Sequence, residues 1–328
     1  MRRVVFLFVY MFFVLSCGLS PKQKAMKILQ DSIEDESVII RVHAAQALQH
    51  MGDERGTTIL YEILEGEDTD GIVAALGALP DIGDETLSMA VMRLAEHDDP
   101  SIRTEAYRLI SGSEHKKARE ILLKGRDDKV AKIRRTSYLG LEKFKQMADI
   151  RKGLHDIDPV VRITAASILA RFGEEGMSRL IKDELKAGRP AVWTYGIVAL
   201  AETGDTVAVT LASGLLHDAP LEWRIAAAEA LLVLNNDDGV DVLKQGLSSN
   251  DPFVRIQVVE ILKRYHVPAL FESLKEATQD EYVNVSIGAI EALAEHYSKK
   301  SMNLFRELMD VPNAQIKIAA AKTYLLNL

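Results

Sequence analysis

One pattern recurs along this chain every 31 residues: Asp, often Pro, an aliphatic residue, Arg, then small residues and a Leu, as in DDPSIRTEAYRLI, DPVVRITAASILARFG and DPFVRIQVVEILKR. With the Arg as register zero it falls at Arg41, Ile72, Arg103, Arg134, Arg162, Trp193, Arg224, Arg255, Ser286 and Lys317. Every spacing is 31 residues except 28 between Arg134 and Arg162. A fixed period of this length marks stacked supersecondary units, none of which can bury its apolar face alone. It overrides what length suggests, since 328 residues would ordinarily make roughly two globular domains.

The columns of the repeat say what each position does. One residue before register zero stand Ile40, Ile102, Ile133, Val161, Val192, Trp223, Val254, Val285 and Ile316, and seven after it Leu48, Leu79, Ile110, Leu141, Leu169, Leu200, Leu231, Leu262 and Leu293. Three after it the residue is Ala, Gly or Ser in every repeat but the eighth, which has Val258. Offsets of −1, +3, +4 and +7 form one apolar stripe on a helix, and the small column lets a neighbouring helix approach closely. Asp99-Pro100, Asp158-Pro159 and Asp251-Pro252 supply an N-cap acid and a Pro at the first helical position. Gly52, Gly83, Gly173, Gly204 and Asn235 share a column eleven residues past register zero, where a left-handed residue closes a helix. A second apolar pattern follows, as in Ile59, Leu60, Ile63 and Leu64, so each repeat is a hairpin of an A helix and a B helix.

These residues resemble the HEAT repeat, in the short bacterial form of the phycobilin lyase subunits. The resemblance covers residues 22–328 and is strongest in the third, fifth, seventh and eighth repeats. It implies an all-α fold, an α-solenoid superhelix of the HEAT/ARM type with about ten hairpins. Residues 22–33 sit where a preceding B helix would lie, and the chain ends on an A helix. The expected total is therefore twenty helices, the outer two unpaired. At ~8–10 Å between packed helices, ten hairpins predict a curved rod on the order of 90 Å long. The three missing residues fall near 142–150 and predict a local tightening there.

Ahead of the array, Arg2 and Arg3 precede an apolar run from Val4 to Leu15 and the small Ser16. This is the layout of a secretory signal, too short for a span that needs about 20 apolar residues. The sole Cys follows, in VLSCG, which resembles the bacterial lipobox. That resemblance implies a signal peptide over 1–16, a lipidated Cys17 and a tether over 17–21, hence an exported lipoprotein anchored at a cell-envelope membrane. An uncleaved anchor and an ordinary signal with an incidental Cys are the alternatives.

One Cys excludes an internal disulfide framework, and a formal net charge of −8 argues against a nucleic-acid partner. Removing Arg2 and Arg3 makes the body more anionic still, so a membrane would hold it by lipid and not by charge. The Arg column (Arg41, Arg103, Arg134, Arg162, Arg224, Arg255) and the acids before it (Asp35, Asp99, Asp158, Asp218, Asp251) read as a structural ladder tying one hairpin to the next. His97-Asp98, His155-Asp156 and His217-Asp218 recur at nearly one register and raise a metal site, because a HEAT-repeat iron hydroxylase uses His-Glu pairs. No His-Glu pair occurs in this sequence, and no glycine-rich phosphate loop, GxSxG or HExxH motif. Neither a catalytic residue, a cofactor nor a metal is expected.

A repeat that departs from the pattern is the better place to look for function. In GRPAVWTYGIVAL, Trp193 replaces the ladder Arg and Tyr195 follows. Trp223 stands in an apolar column and reads as core. Trp193 is expected to stack between Arg162 and Arg224, or else to form a partner-binding patch with Tyr195. The apolar tail TYLLNL, with Tyr324 and Leu325, either packs over the last hairpin or forms a docking or self-association end. The reading is a non-enzymatic scaffold or adaptor that binds a protein partner along an extended surface. The alternatives are a lyase- or metalloenzyme-type HEAT protein and a self-assembling spacer.

Overall fold

The computed structural model describes residues 19–79, 85–187 and 190–328, and among these every regular element is a helix. After α1 (Pro21–Ser32) come the hairpins α2 (Val38–His50) with α3 (Glu54–Leu64), α4 (Thr69–Ala78) with α5 (Glu85–Leu94), and α6 (Pro100–Gly112) with α7 (Lys116–Gly125). Next are α8 (Ala131–Lys143) with the short α9 (Met147–Ile150) and a 3₁₀ turn (Arg151–His155), α10 (Pro159–Arg171) with α11 (Met177–Lys186), and α12 (Pro190–Glu202) with α13 (Val207–Asp218). The array ends with α14 (Leu221–Val233) and α15 (Val240–Leu247), α16 (Pro252–Arg264) and α17 (Phe271–Ala277), the long α18 (Val283–Leu308), and α19 (Ala314–Leu326). Helix α18 is the ninth hairpin without a turn: its A and B halves meet at Tyr297, whose φ of −136° and ψ of 24° break the helix.

Local chemistry sets these boundaries. The carboxylates of Asp99, Asp158 and Asp251 cap α6, α10 and α16 by accepting hydrogen bonds from backbone N–H groups two or three residues on, ahead of a Pro at the first helical position. Where Gly or Asn fills it, the closing column is left-handed, with φ of 77° at Gly52, 83° at Gly173, 74° at Gly204 and 56° at Asn235, while Gly83 lies outside the described residues. Lys145 occupies the same column at a φ of 52°, at a cost that Gly would not carry. It opens the shortened turn where three residues are missing, and the B helix there shrinks to α9 and its 3₁₀ turn. The buried side chains divide at the same place: Val161, Ala165 and Ile168 of α10 pack toward the preceding repeats, Ile163 and Ala166 toward the following ones.

The Arg column ties neighbours together, but not through the acids expected. Arg103 donates to Asp128 (3.0 and 3.3 Å), Arg134 to Asp156 (both 2.8 Å), Arg162 to Glu184 (2.6 and 2.8 Å) and Arg255 to Asp280 (2.7 and 2.9 Å). Each acid lies 22 to 25 residues downstream, in the approach to the next A helix or, for Glu184, late in the B helix α11. The same guanidinium groups donate to carbonyls five or six residues back, those of His97 and Asp98 for Arg103 and of Asp35 and Glu36 for Arg41. Asp99, Asp158 and Asp251 are thus helix caps, and Asp35 accepts from the Ser37 N–H. Among the described residues Arg224 donates to the Leu216 carbonyl, at 2.7 Å, and Ser249 stands 25 residues on, where Arg103 and Arg255 find an acid. Asp218, which would receive the Arg that Trp193 replaces, is exposed at the end of α13.

The molecule is a ring, not a rod. Each A helix packs on the next, and the last, α19, packs on both α1 and α2. The unpaired B helix at the start and the unpaired A helix at the end therefore complete a tenth hairpin without a covalent link. One core cluster contains Ala25, Leu29, Ala44 and Leu48 together with Ile316, Ala320 and Tyr324. Lys24 pairs with Asp310 across the same seam. The A helices touch all the way round and the B helices touch little, so the A layer has the shorter circuit and lines the inside. Ten axes spaced ~9 Å apart give a circuit of about 90 Å and, once side chains project ~5 Å inward, a lumen about 18 Å wide. The expected far end of a rod does not exist, and the termini of the array lie side by side. Closure also removes the exposed apolar end faces that an open solenoid must cover with polar caps.

Candidate binding site on the inner wall

Inner-wall side chains come from the A-helix columns at offsets +1, +2, +5 and +9. Several cover the C-terminal carbonyls of a neighbouring A helix, which its own hydrogen bonding leaves unpaired. Arg108 donates to the Leu76 carbonyl at 2.6 Å and Lys143 to that of Gly112 at 2.6 Å. Others form ion pairs between repeats. Arg171 bridges Glu142 (2.7 Å) and Glu202 (3.1 Å), and Arg264 meets Glu229 at 2.6 Å.

The wall is hollowed where the repeat departs from its pattern. Five A helices, α8, α10, α12, α14 and α16, enclose a recess of about 670 Å³. Its floor is apolar, with Leu139, Ile163, Val198 and Ala199, and Arg171–Glu202 and Arg264–Glu229 form one side. On another side Tyr195, 46% exposed, lies under the Arg135 guanidinium, whose carbon is 4.6 Å from the ring centroid. Arg135 Nε donates to Thr164 Oγ1 at 3.2 Å, and that hydroxyl donates onward to the Val160 carbonyl at 2.8 Å. Three successive A helices are joined by this chain of contacts. The two terminal nitrogens of Arg135 have no partner among the described residues.

Trp193 does not stack between Arg162 and Arg224, which are engaged elsewhere. It stacks on Trp223, with ring centroids 5.6 Å apart and planes 20° from parallel. The pair fills the gap where the ladder is interrupted, and both rings are half-buried. Tyr324 is buried in the seam with the Arg306 guanidinium 5.4 Å from its ring, and Leu325 packs on the same cluster. The surface offered by these two residues is therefore occupied by helices of the same chain. Cys17 and the segment before it lie outside the described residues.

The second inner recess, about 660 Å³, spans the seam and is lined by charged and polar groups of α2, α16, α18 and α19. Lys322 Nζ donates to Gln46 Oε1 at 3.3 Å and stands 4.0 Å from Glu291, which Lys263 meets at 2.8 Å. Burial, joined by the nearby Lys322 charge and opposed by Glu291, holds the His43 imidazole below its usual pKa. Burial lowers the Lys322 ammonium likewise, against the pull of Glu291. The His-Asp pairs do not converge: His97 accepts the Asp99 N–H at 3.0 Å, and His155 and His217 end separate helical segments. Among the described residues no group of three or more His, Cys, Asp or Glu is placed to hold a metal ion, and no helix is long and apolar enough to cross a membrane.

The signals for this site were uneven. Tyr195 was visible as a neighbour of the irregular Trp193, whereas Arg135 reads in the sequence as one more Arg beside the ladder Arg134. Only the stacking of repeats brings it over Tyr195, 60 positions away.

A family model described as HEAT repeats matches residues 209–286 and 240–324, about a third of the chain. No curated protein matches the sequence. Among solved structures, the chain is similar to an engineered protein at 15% identity, covering 93% of this chain and 98% of that one, with a TM-score of 0.37. It is similar to the complex of CpcE and CpcF of phycocyanin lyase from Nostoc sp. PCC7120 at 18% identity, covering 94% and 96%, with a TM-score of 0.36. It is also similar to human deoxyhypusine hydroxylase in complex with glycerol at 16% identity, covering 84% and 98%, with a TM-score of 0.37. Such distant likenesses say nothing about chemistry. HEAT repeats and an all-helical solenoid are what the family match and the helices establish.

Proposed function

We propose that the chain is a non-enzymatic scaffold or adaptor that grips a segment of a protein partner on its inner wall, and that a lipid on Cys17 holds it at a bacterial envelope membrane. The observation that carries the first part is the recess over α8, α10 and α12, where Tyr195 stays exposed beside the Arg135 guanidinium. An aromatic ring left half open beside a stacked guanidinium is the composition of an interface anchor. A lumen about 18 Å wide admits an extended chain or one helix, ~10–12 Å across, but not a folded domain. The partner therefore presents a segment. The self-assembling spacer loses support at Tyr324 and Leu325, which pack within the ring, although Leu326 and Leu328 beside them are exposed.

The membrane part rests on the lipobox resemblance alone. Because Ser20 already caps α1, with its Oγ accepting the Gln23 N–H at 3.3 Å, a lipid on Cys17 would hold the ring directly at its seam. A photocrosslinking amino acid at Tyr195, in cells, is expected to yield one specific adduct that the same probe at Lys186 on the outer layer does not. Equal or absent adducts at the two positions would overturn the adaptor reading. For the anchor, Cys17→Ser is expected to abolish metabolic labelling by a fatty acid and to move the protein out of the membrane fraction.

A further inference from the structure

The recess is specific about the charge it lacks. Of its three arginines, Arg171 and Arg264 are neutralised by Glu142, Glu202 and Glu229, and Arg135 has no carboxylate partner among the described residues. It is nevertheless held on two sides: the Tyr195 ring lies 4.6 Å from the guanidinium carbon and Thr164 accepts from Nε, which leaves the two terminal nitrogens without a partner among the described residues. A guanidinium edge of that kind donates to two oxygens of one planar anion. One helical turn further along the same face of α8 stands Leu139, 37% exposed, with Ile163 and Val198 beside it. The anion thus comes attached to an apolar group.

Other anions fit less well. A phosphate dianion calls for more than one cation, and the remaining two arginines are already paired. A run of acidic side chains would meet Glu222, exposed on the α14 side of the recess. A free chain end puts one carboxylate next to one apolar side chain on the same Cα, and it can enter a narrow lumen without threading.

We propose that this recess binds the C-terminal carboxylate of an apolar chain end of the protein partner, with Arg135 as the anion-binding group, Tyr195 as its stacking platform and Thr164 setting its rotation. The inference rests on the adaptor reading and gives it a ligand class. Arg135 touches the ligand; Thr164 is a positioning residue that acts only through it.

The full chain, in mild detergent and carrying ¹³C-labelled tyrosine, is titrated with three probes: N-acetyl-Leu-Leu as the free acid, its C-terminal amide, and N-acetyl-Asp-Leu-amide. The Tyr195 resonance is assigned from Tyr195→Phe. The free acid is expected to shift that resonance saturably, and the amide to bind about tenfold more weakly, the loss expected of a charge-assisted hydrogen-bond pair. Arg135→Ala should erase the preference for the acid. Arg135→Lys, which keeps the charge but not the fork, should lose most of it while leaving the fold intact. Equal binding of acid and amide, no shift with the acid, or an unchanged preference in both variants overturns the proposal. If the Asp probe binds as well as the free acid, the site reads acidic side chains and the proposal fails as stated. A specific photocrosslink at Tyr195 combined with any of these failures leaves the adaptor reading standing and removes only the carboxylate.

Discussion

At the scale of single residues, the turn that closes each A helix is the most exposed to test, because its energetics belong to one backbone torsion. Lys145 holds a left-handed φ of 52° in a column whose other left-handed members, among the described residues, are Gly52, Gly173, Gly204 and Asn235. A residue with a Cβ there costs roughly 1–2 kcal/mol, part of which Gly returns as unfolded-chain entropy. Lys145→Gly is accordingly expected to stabilise the fold by about 1 kcal/mol, read as a higher denaturant midpoint at unchanged slope. Gly173→Ala should do the opposite, by about 1 kcal/mol, and for the backbone alone, since a Cβ at Gly173 meets nothing within 4 Å. The glycine column was legible in the sequence because the residue type itself encodes the torsion. Lys145 was not, because no property of lysine reports that the preceding helix has run out of chain.

At the scale of elements, the ladder shows where periodicity informs and where it stops. The sequence displays the Arg column and the acids nearest to it, and those acids cap the helices. The acids that receive the Arg lie 22 to 25 residues on, in the approach to the next A helix or, for Glu184, late in the B helix α11, and only the packed structure reveals them. Arg134 and Asp156 are the most enclosed of these pairs, with side chains 10% and 8% exposed. Arg134→Met should cost about 3 kcal/mol, since it strands a buried carboxylate. The pH dependence follows from Asp156. Burial works to raise its pKa, but the Arg134 hydrogen bonds, the Asp158 N–H and the charges of Arg134 and Arg162 outweigh it and hold the carboxyl below its ordinary range. Below about pH 4 the unfolded chain takes up that proton first, so the stability this pair supplies is present above pH 4 and is lost as the pH falls through the depressed value. The gap between wild type and Arg134→Met should therefore narrow as denaturation is repeated from neutral pH into acid, and a constant gap would mean that the pair is not the source.

At the scale of the whole molecule, a repeat specifies its neighbours but not the small rotation between them, and ten small rotations decide between a rod and a ring. The described array nevertheless carries a trace of closure: its first helix, α1, stands in the B register and its last, α19, in the A register, and these two halves pack on each other. If those halves form the tenth hairpin, then joining Leu328 to Ser20 with a short flexible linker and opening the chain between α1 and α2 should give a permuted protein that folds as well as the original. Deleting 314–328 should instead expose Leu29, Ala44 and Leu48 of the seam core and drive self-association, which sedimentation would show as a concentration-dependent shift. The seam should also respond to pH through His43, which feels Lys322 and Glu291 and whose imidazole is held low chiefly by burial and then by Lys322. A group depressed in the closed ring protonates first when the seam is open, so closure weakens as the pH falls below about 6.5 and the loss is complete once the closed ring itself is protonated. Hydrogen exchange in α1 and α19 should thus accelerate between neutral pH and about pH 5 beyond the change seen in α6, once corrected for intrinsic rates. In His43→Gln the excess should vanish; an excess that persists would place the pH-sensitive contact somewhere other than the seam.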